Sequence, residues 1–297
     1  MKGQPKLIHV ACGQIVCRPG DVAGNLRQVR QLTAAAARAG AKFVLFAEGA
    51  LTGYLFTPWF LRKHALAVDS APVRSLQALS RRHRIVIAVG VIEQTDNARH
   101  VSHLILFPNG RLLIQRKHNL TETECGAGIE PGPEERVLFA VGGVRFGICI
   151  CSDSAIPDIR NKLAAGGCQV YCGPCAGGGG REHLRRPADL GNPKKRKQYL
   201  ADMERVCFGG KTILDCHDRR MAMMNVNLAG DDGIGNYHPG HSMIFDSTGH
   251  VVAMQPGEYV AAYLTPVLIH GEIQVRSPRQ VAKYERIENH KHQEQVT

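Results

Sequence analysis

The feature that most constrains this chain is the way its apolar runs stop. Phe43-Val44-Leu45-Phe46 ends at Ala47-Glu48, and Val144-Arg145-Phe146-Gly147-Ile148-Cys149-Ile150 ends at Cys151-Ser152-Asp153. Runs this short and this apolar are strands buried in a sheet, because a helix needs more residues to cover a face. Amphipathic stretches lie between them. Asn25 to Ala39 places Leu26, Val29, Leu32 and Ala36 on one side and is closed by Gly40, and Val73 to His83 turns Val73, Leu76 and Leu79 inward. Strand, helix, strand, repeated in this way, predicts a layered α/β sandwich.

The remaining runs fit the same scheme. Leu7 to Gln14 and Arg84 to Glu93 read as strands. Val101 to Phe107 and Arg111 to Arg116 form a hairpin about Pro108-Asn109-Gly110, where Asn-Gly is expected to supply the positive φ angles of a tight turn. Val137 to Phe139, Val144 to Ile150, Cys168 to Cys172, Ala222 to Val226 and Ser242 to Asp246 are further strands. Ala155 to Ala165 is a helix ended by Gly166-Gly167. Gly177 to Lys197, rich in Gly, Arg, Lys and Pro, reads as a mobile loop or lid. From Arg276 the sequence turns polar and reads as an arm or tail. The expected organisation is one domain over residues 1–275 and a C-terminal arm over 276–297.

Composition excludes several classes. With 44% hydrophobic and 21% charged residues in 297, the chain can bury a full core, which rules out a disordered or fibrous protein. No apolar run approaches the length that spans a bilayer. Met1-Lys2-Gly3-Gln4-Pro5 leads into a strand without a secretory core, which argues against export. Ten cysteines are spread over a large chain, and Cys12, Cys149 and Cys168 sit in apolar runs as small hydrophobes, so a reducing cytoplasm is expected. The net charge of +11 concentrates in Arg81 to Arg84, Arg181 to Lys197 and Arg219-Arg220. No nucleic-acid recognition motif accompanies these segments, and they read as solvated faces and a basic loop. The competing reading is a non-catalytic scaffold that binds nucleic acid or another anionic partner through them.

Chemistry points first to Cys151. A thiol at a strand-to-helix corner has helix N–H groups aimed at it, and the helix dipole is expected to favour thiolate, the attacking form. Strand alternation would put Cys149 on the same face as Cys151, as a core thiol beneath it. Glu48, at the end of a buried strand, is costly to desolvate, so its pKa should rise as a general base requires. Lys117 ends the hairpin strand Leu112 to Arg116, where a fixed ammonium can hold an oxyanion. Glu124 follows seven residues later. Glu122 is its rival, and spacing does not separate them.

The other cysteine motifs read differently. Cys172-Gly173-Pro174-Cys175 spells a dithiol motif, but the glycines at 177–180 would destabilise the helix that chemistry needs, leaving a loop that carries two thiols. Cys149, Cys151, Cys172 and Cys175 do not have a familiar zinc spacing. His238-Pro239-Gly240-His241 and the tail histidines read as structural or solvated. Neither metal nor cofactor is expected.

In their local contexts, Glu48, Lys117, Glu124 and Cys151 resemble the carbon–nitrogen hydrolase (nitrilase-like) superfamily. The likeness includes Gln14, Gly20-Asp21, Asn25-Leu26, Ala47 to Tyr54, Arg116 to Leu120, Pro131-Gly132, Gly147 to Asp153, Ile156 to Arg160 and Gly240 to Asp246. It spans roughly residues 7 to 255 and departs from the pattern at Ala47, Gln115 and Asp158. The resemblance implies a four-layer α-β-β-α sandwich and a cofactor-independent Glu48–Lys117–Cys151 triad, and it selects Glu124 over Glu122 as the assisting carboxylate. It further implies an oxyanion contact from the backbone N–H of Ser152, substrate contacts from Tyr54 and Asp153, and homodimers. The implied reaction is hydrolysis of a small-molecule amide or N-carbamoyl (ureido) amine. True nitrile hydrolysis fits less well, because that branch carries Trp-Glu where this chain has Ser152-Asp153.

Overall fold

The computed structural model describes residues 5–156, 158–178, 192–194, 215–255 and 265–277. In chain order the first elements are β1 (Lys6–Gln14), α1 (Val22–Arg38), β2 (Phe43–Phe46), α2 (Pro58–His64), α3 (Ala71–His83), β3 (Val86–Gln94), β4 (Arg99–Leu106), β5 (Leu112–Arg116) and α4 (Glu122–Gly126). Then come β6 (Leu138–Val141), β7 (Val144–Ile148), a 3-10 turn at Cys151–Ala155, α5 (Ile159–Ala165) and β8 (Val170–Cys175). The last described elements are β9 (Ala222–Asn227), β10 (Ala229–Asp231), β11 (Tyr237–Pro239), β12 (Met243–Phe245), β13 (Val251–Met254) and β14 (Val267–Val275).

Among the described residues the strands form two six-stranded sheets, ordered β14-β1-β2-β3-β4-β5 and β13-β12-β9-β8-β7-β6, with β10 and β11 a separate pair. In the first, β1, β2 and β3 run parallel; in the second, β7, β8 and β9 do. Parallel strands are covered on both faces, and β2 is buried at every residue. The sheets pack face to face across one apolar core. Phe43 of the first meets Phe146 and Phe139 of the second, with ring centroids 4.9 and 5.7 Å apart. On the outside of the first sheet lies α1, with Val29, Leu32 and Ala36 buried and its first turn capped by Asp21, which accepts from Gly24 N at 2.8 Å. Against the second sheet, α5 buries Ile159 and Leu163 in a smaller cluster with Tyr171 and Met223. The layers are α-β-β-α, as expected.

Several local features differ from the sequence reading. The hairpin turn has positive φ only at Gly110 (93°), not at Asn109, and Phe107 O accepts from Gly110 N. It is a longer turn than the two-residue Asn-Gly type, with Asn109 instead accepting through its side chain from Arg111 N. The helix expected from Ala155 is divided, a 3-10 turn preceding α5. Arg84 is not the first strand residue but the left-handed cap of α3 (φ 51°), whose last turn carries Arg81, Arg82 and His83 where cations favour the helix dipole. The strand β14 completes the first sheet by pairing antiparallel with β1 over its whole length, Lys6 opposite Val275. Most of the basic segment 177–197, and the arm beyond Ser277, lie outside the described residues. No described helix is long and apolar enough to cross a membrane.

Candidate active site

Open α/β sheets place their chemistry at the carboxyl ends of parallel strands. Here the ends of β2, β7 and β8 converge, because β2 of one sheet lies against β8 of the other. Glu48 follows β2. Its backbone passes close over β3 at Gly90, where an added Cβ would sit 2.4 Å from both Ala47 O and Gly49 N. Only glycine permits that approach. From behind, the His103 ring donates through Nε2 to Phe46 O at 2.9 Å, fixing the turn that delivers Glu48.

Lys117 lies just past β5, its backbone N–H donating to Val101 O at 2.8 Å. Its Nζ donates to Glu48 Oε1 at 2.8 Å and to Glu124 Oε1 at 2.7 Å. All three side chains are excluded from solvent. Glu124 owes its place to a capping box at the start of α4. Its Oε2 accepts from Thr121 N at 2.7 Å, while its own N–H donates to Thr121 Oγ1. Glu122, the rival left open by spacing, lies exposed on the surface. Tyr54 donates its hydroxyl to Glu124 Oε1 at 2.8 Å, so it touches the second carboxylate and helps fix Lys117.

Cys151 opens the 3-10 turn with φ 48°, one of the few positive values outside glycine. Such a conformation is costly for a residue with a Cβ and is held by its surroundings. It also overturns the expected alternation. Cys149 packs on the outer face of the sheet beneath α5, whereas Cys151 packs against the core between the sheets. The positive φ turns the chain over between them. Cys172 lies on the inner face, opposite Cys149, so these cysteines do not converge as a zinc site would require.

The electrostatics also differ from expectation. Cys151 is not poised as a thiolate: its hydrogen bond with the Cys175 thiol and its burial push its pKa well above the usual thiol value, against the pull of Lys117. Burial, then the neighbouring Cys151, drives the Glu48 carboxyl well above the usual range, while Lys117 opposes. For Lys117 burial acts downward, but Glu48, Cys151 and Glu124 outweigh it and keep the ammonium charged. The set therefore contains a protonated thiol, a carboxyl of raised basicity and a fixed cation. A carboxyl whose proton affinity is raised in this way is suited to take a proton from a neighbouring sulfur.

Asp153, expected to touch substrate, has its carboxylate engaged by the protein. It is fully buried, with Oδ1 accepting from His118 N and Asn119 N at 3.0 and 2.8 Å. Oδ2 accepts from Ile150 N at 3.2 Å and from Arg136 at 2.6 Å. Both oxygens are committed to tying the segment after Lys117 to the Cys151 turn. Asn119 reinforces this tie through Ser152: its Nδ2 donates to Ser152 O at 2.7 Å, and the Ser152 hydroxyl donates to Asn119 O. Three residues of the site went unread in the sequence. Ala176 N donates to Glu48 Oε2 at 3.0 Å and also bonds Cys151. Arg136 neutralises Asp153, and His103 supports β2. The register of β8 against β7 would have pointed to Ala176; Arg136 has no local signal.

The carbon-nitrogen hydrolase family model matches residues 9–197. A hydrolase of Mycobacterium tuberculosis is 27% identical over 279 residues, 90% of each chain. The arylacetonitrilase of Aspergillus niger is 26% identical over 164 residues, 52% of this chain and 45% of its own. Among solved structures, an amidase from Nesterenkonia sp. superposes with a TM-score of 0.72 at 19% identity, covering 96% of this chain and 95% of that one.

Proposed function

The chain belongs to the carbon-nitrogen hydrolase family, and on that premise we propose that it hydrolyses a small amide or N-carbamoyl amine through a thioester on Cys151. Glu48 takes the thiol proton as sulfur attacks the carbonyl carbon. Lys117 and the N–H of Ser152, one of the amides that open the 3-10 turn, hold the oxyanion. Glu48 then protonates the departing ammonia or amine and activates the water that cleaves the thioester. Glu124, held by Tyr54 and Thr121, keeps Lys117 on the reacting side. The observation that carries this reading is the Lys117 ammonium bound at 2.8 and 2.7 Å by two buried carboxylates within electrostatic reach of Cys151.

An amidase of like fold carries a covalent acetamide adduct at its active site cysteine, which supports sulfur as the attacking atom. Against a nitrile substrate stands Ser152-Asp153 after the nucleophile, with Asp153 already consumed by four structural bonds. Thiol chemistry supports a reducing cytoplasmic setting, and the family resemblance supports a homodimer. Ammonia release over aliphatic amides, ureido acids and nitriles tests the assignment, with the acyl-enzyme sought by mass spectrometry of protein quenched in acid. We expect turnover on an amide or ureido compound and a mass increment on the Cys151 peptide. Turnover without any adduct on that peptide would overturn it.

A further inference from the structure

The Cys172–Cys175 motif has no place in the hydrolytic cycle, and its geometry is not that of a dithiol. Residues three apart on a strand face opposite ways, and Cys172 is sealed in the core between the sheets while Cys175 is partly exposed at the strand end. The companion of Cys175 is elsewhere. β7 and β8 run parallel with Ile148 opposite Cys172, and Cys149 N donates to Cys172 O at 2.9 Å. β7 ends at Ile148 and the chain leaves the strand for the Cys151 turn, which packs against β8 and brings the Cys151 thiol beside that of Cys175. Cys175 Sγ also lies 3.7 Å from Gly173 O and 3.9 Å from Asn225 Oδ1, which hold it at the strand end.

We propose that Cys151 and Cys175 form a covalent modification site, a thiol pair that a peroxide closes into a disulfide and a dithiol reductant reopens. The Cys151 sulfur, its proton passed to Glu48, attacks one peroxide oxygen. The O–O bond breaks, leaving a sulfenic acid on Cys151 and a hydroxide that takes the proton from Glu48 and departs as water. Cys175 sulfur then attacks the sulfenic sulfur. The S–S bond forms, the S–O bond breaks, and a second water leaves with the Cys175 proton. Two thiols are oxidised by two electrons and one peroxide is reduced to two waters. The disulfide occupies the atom the hydrolytic reaction needs, so activity stops until it is reduced. This consequence for activity rests on the proposed role of Cys151; formation of the bond does not.

The test treats the full chain with hydrogen peroxide, blocks remaining thiols with N-ethylmaleimide, and maps cross-linked peptides by mass spectrometry beside ammonia release. We expect a Cys151–Cys175 link that persists in Cys172→Ser, with hydrolysis lost and restored by dithiothreitol. In Cys175→Ser the loss should resist dithiothreitol, because an unguarded sulfenic acid advances to the sulfinic state. Oxidation of Cys151 without that link, or a link from Cys175 to Cys172, overturns the proposal. A Cys151–Cys175 link that leaves hydrolysis unchanged supports the pair and overturns instead the assignment of Cys151 as nucleophile.

Discussion

The two sides of the site are built on opposite principles. The side supplied by the first sheet, Glu48, Lys117 and Glu124, is sealed from solvent, and bonds between its own members hold it in place. The side supplied by the second sheet, the Cys151 turn, is half-buried, strained in φ, and tethered from outside through Asp153 and Asn119. On the proposed reading, one side is a fixed electric field and the other the attacking atom presented to it. Rigidity then resides in the charges that would hold the oxyanion, and strain at the group that would change partners.

Removing one member from each side should separate these roles most sharply. Cys151→Ala should lower turnover by about 10⁴-fold or more, as loss of a nucleophile does, while changing stability by no more than about 1 kcal/mol. Lys117→Met should also abolish turnover, but it leaves two carboxylates buried without their cation. A further loss of about 3–5 kcal/mol is then expected, read from urea denaturation. Equal stability in the two variants would mean that the charged side is not the structural one.

Acid should reach the two sides differently. Activity should fall as pH is lowered through the raised Glu48 pKa, above the ordinary carboxylate range, because a protonated Glu48 cannot accept the thiol proton. Stability should fall for another reason. Burial lowers His103 to about 4 from 6.5, and His241 likewise. Both stay neutral in the fold while the unfolded chain takes up protons below 6.5. Their contribution is complete above that value and is lost as pH falls toward 4, by about 3 kcal/mol for each. Denaturation curves at pH 7 and 4.5 measure it, and His103→Gln should lower the slope by that residue's share. A slope unchanged in that variant would free His103 from the support of β2.

Much of this contrast was legible in the sequence, and the reason is locality. Glu48 and Cys151 are visible because each interrupts an apolar run, and the layers follow from the alternation of short strands with amphipathic helices. Over Val267 to Val275 a period-two pattern, with Ile269, Gly271, Ile273 and Val275 against His270, Glu272 and Gln274, marks the missed strand β14, which pairs with a partner at the far end of the chain. What could not be read locally was orientation. A single positive φ at Cys151 reverses the face on which the thiol lies, and a carboxylate such as Asp153 reads alike whether it meets substrate or four backbone and side-chain donors.

The smallest effects test how the charged side is divided. Glu122 lies beside Glu124 in the sequence and Tyr54 lies 70 residues away, yet it is Tyr54 that reaches the Lys117–Glu124 pair. Tyr54→Phe removes one donor to a carboxylate that keeps Lys117 and Thr121, so the cost should be about 1.5 kcal/mol, or roughly a tenfold loss in turnover if it is felt in the transition state. Glu122→Gln alters a surface carboxylate at the helix start and should stay within about 0.5 kcal/mol with turnover unchanged. Turnover on a common amide, measured for both at saturating and limiting substrate, reads the difference. If Glu122→Gln proved the more damaging, the assisting carboxylate would have been assigned to the wrong residue, and the buried bond from Lys117 to Glu124 would be structural alone.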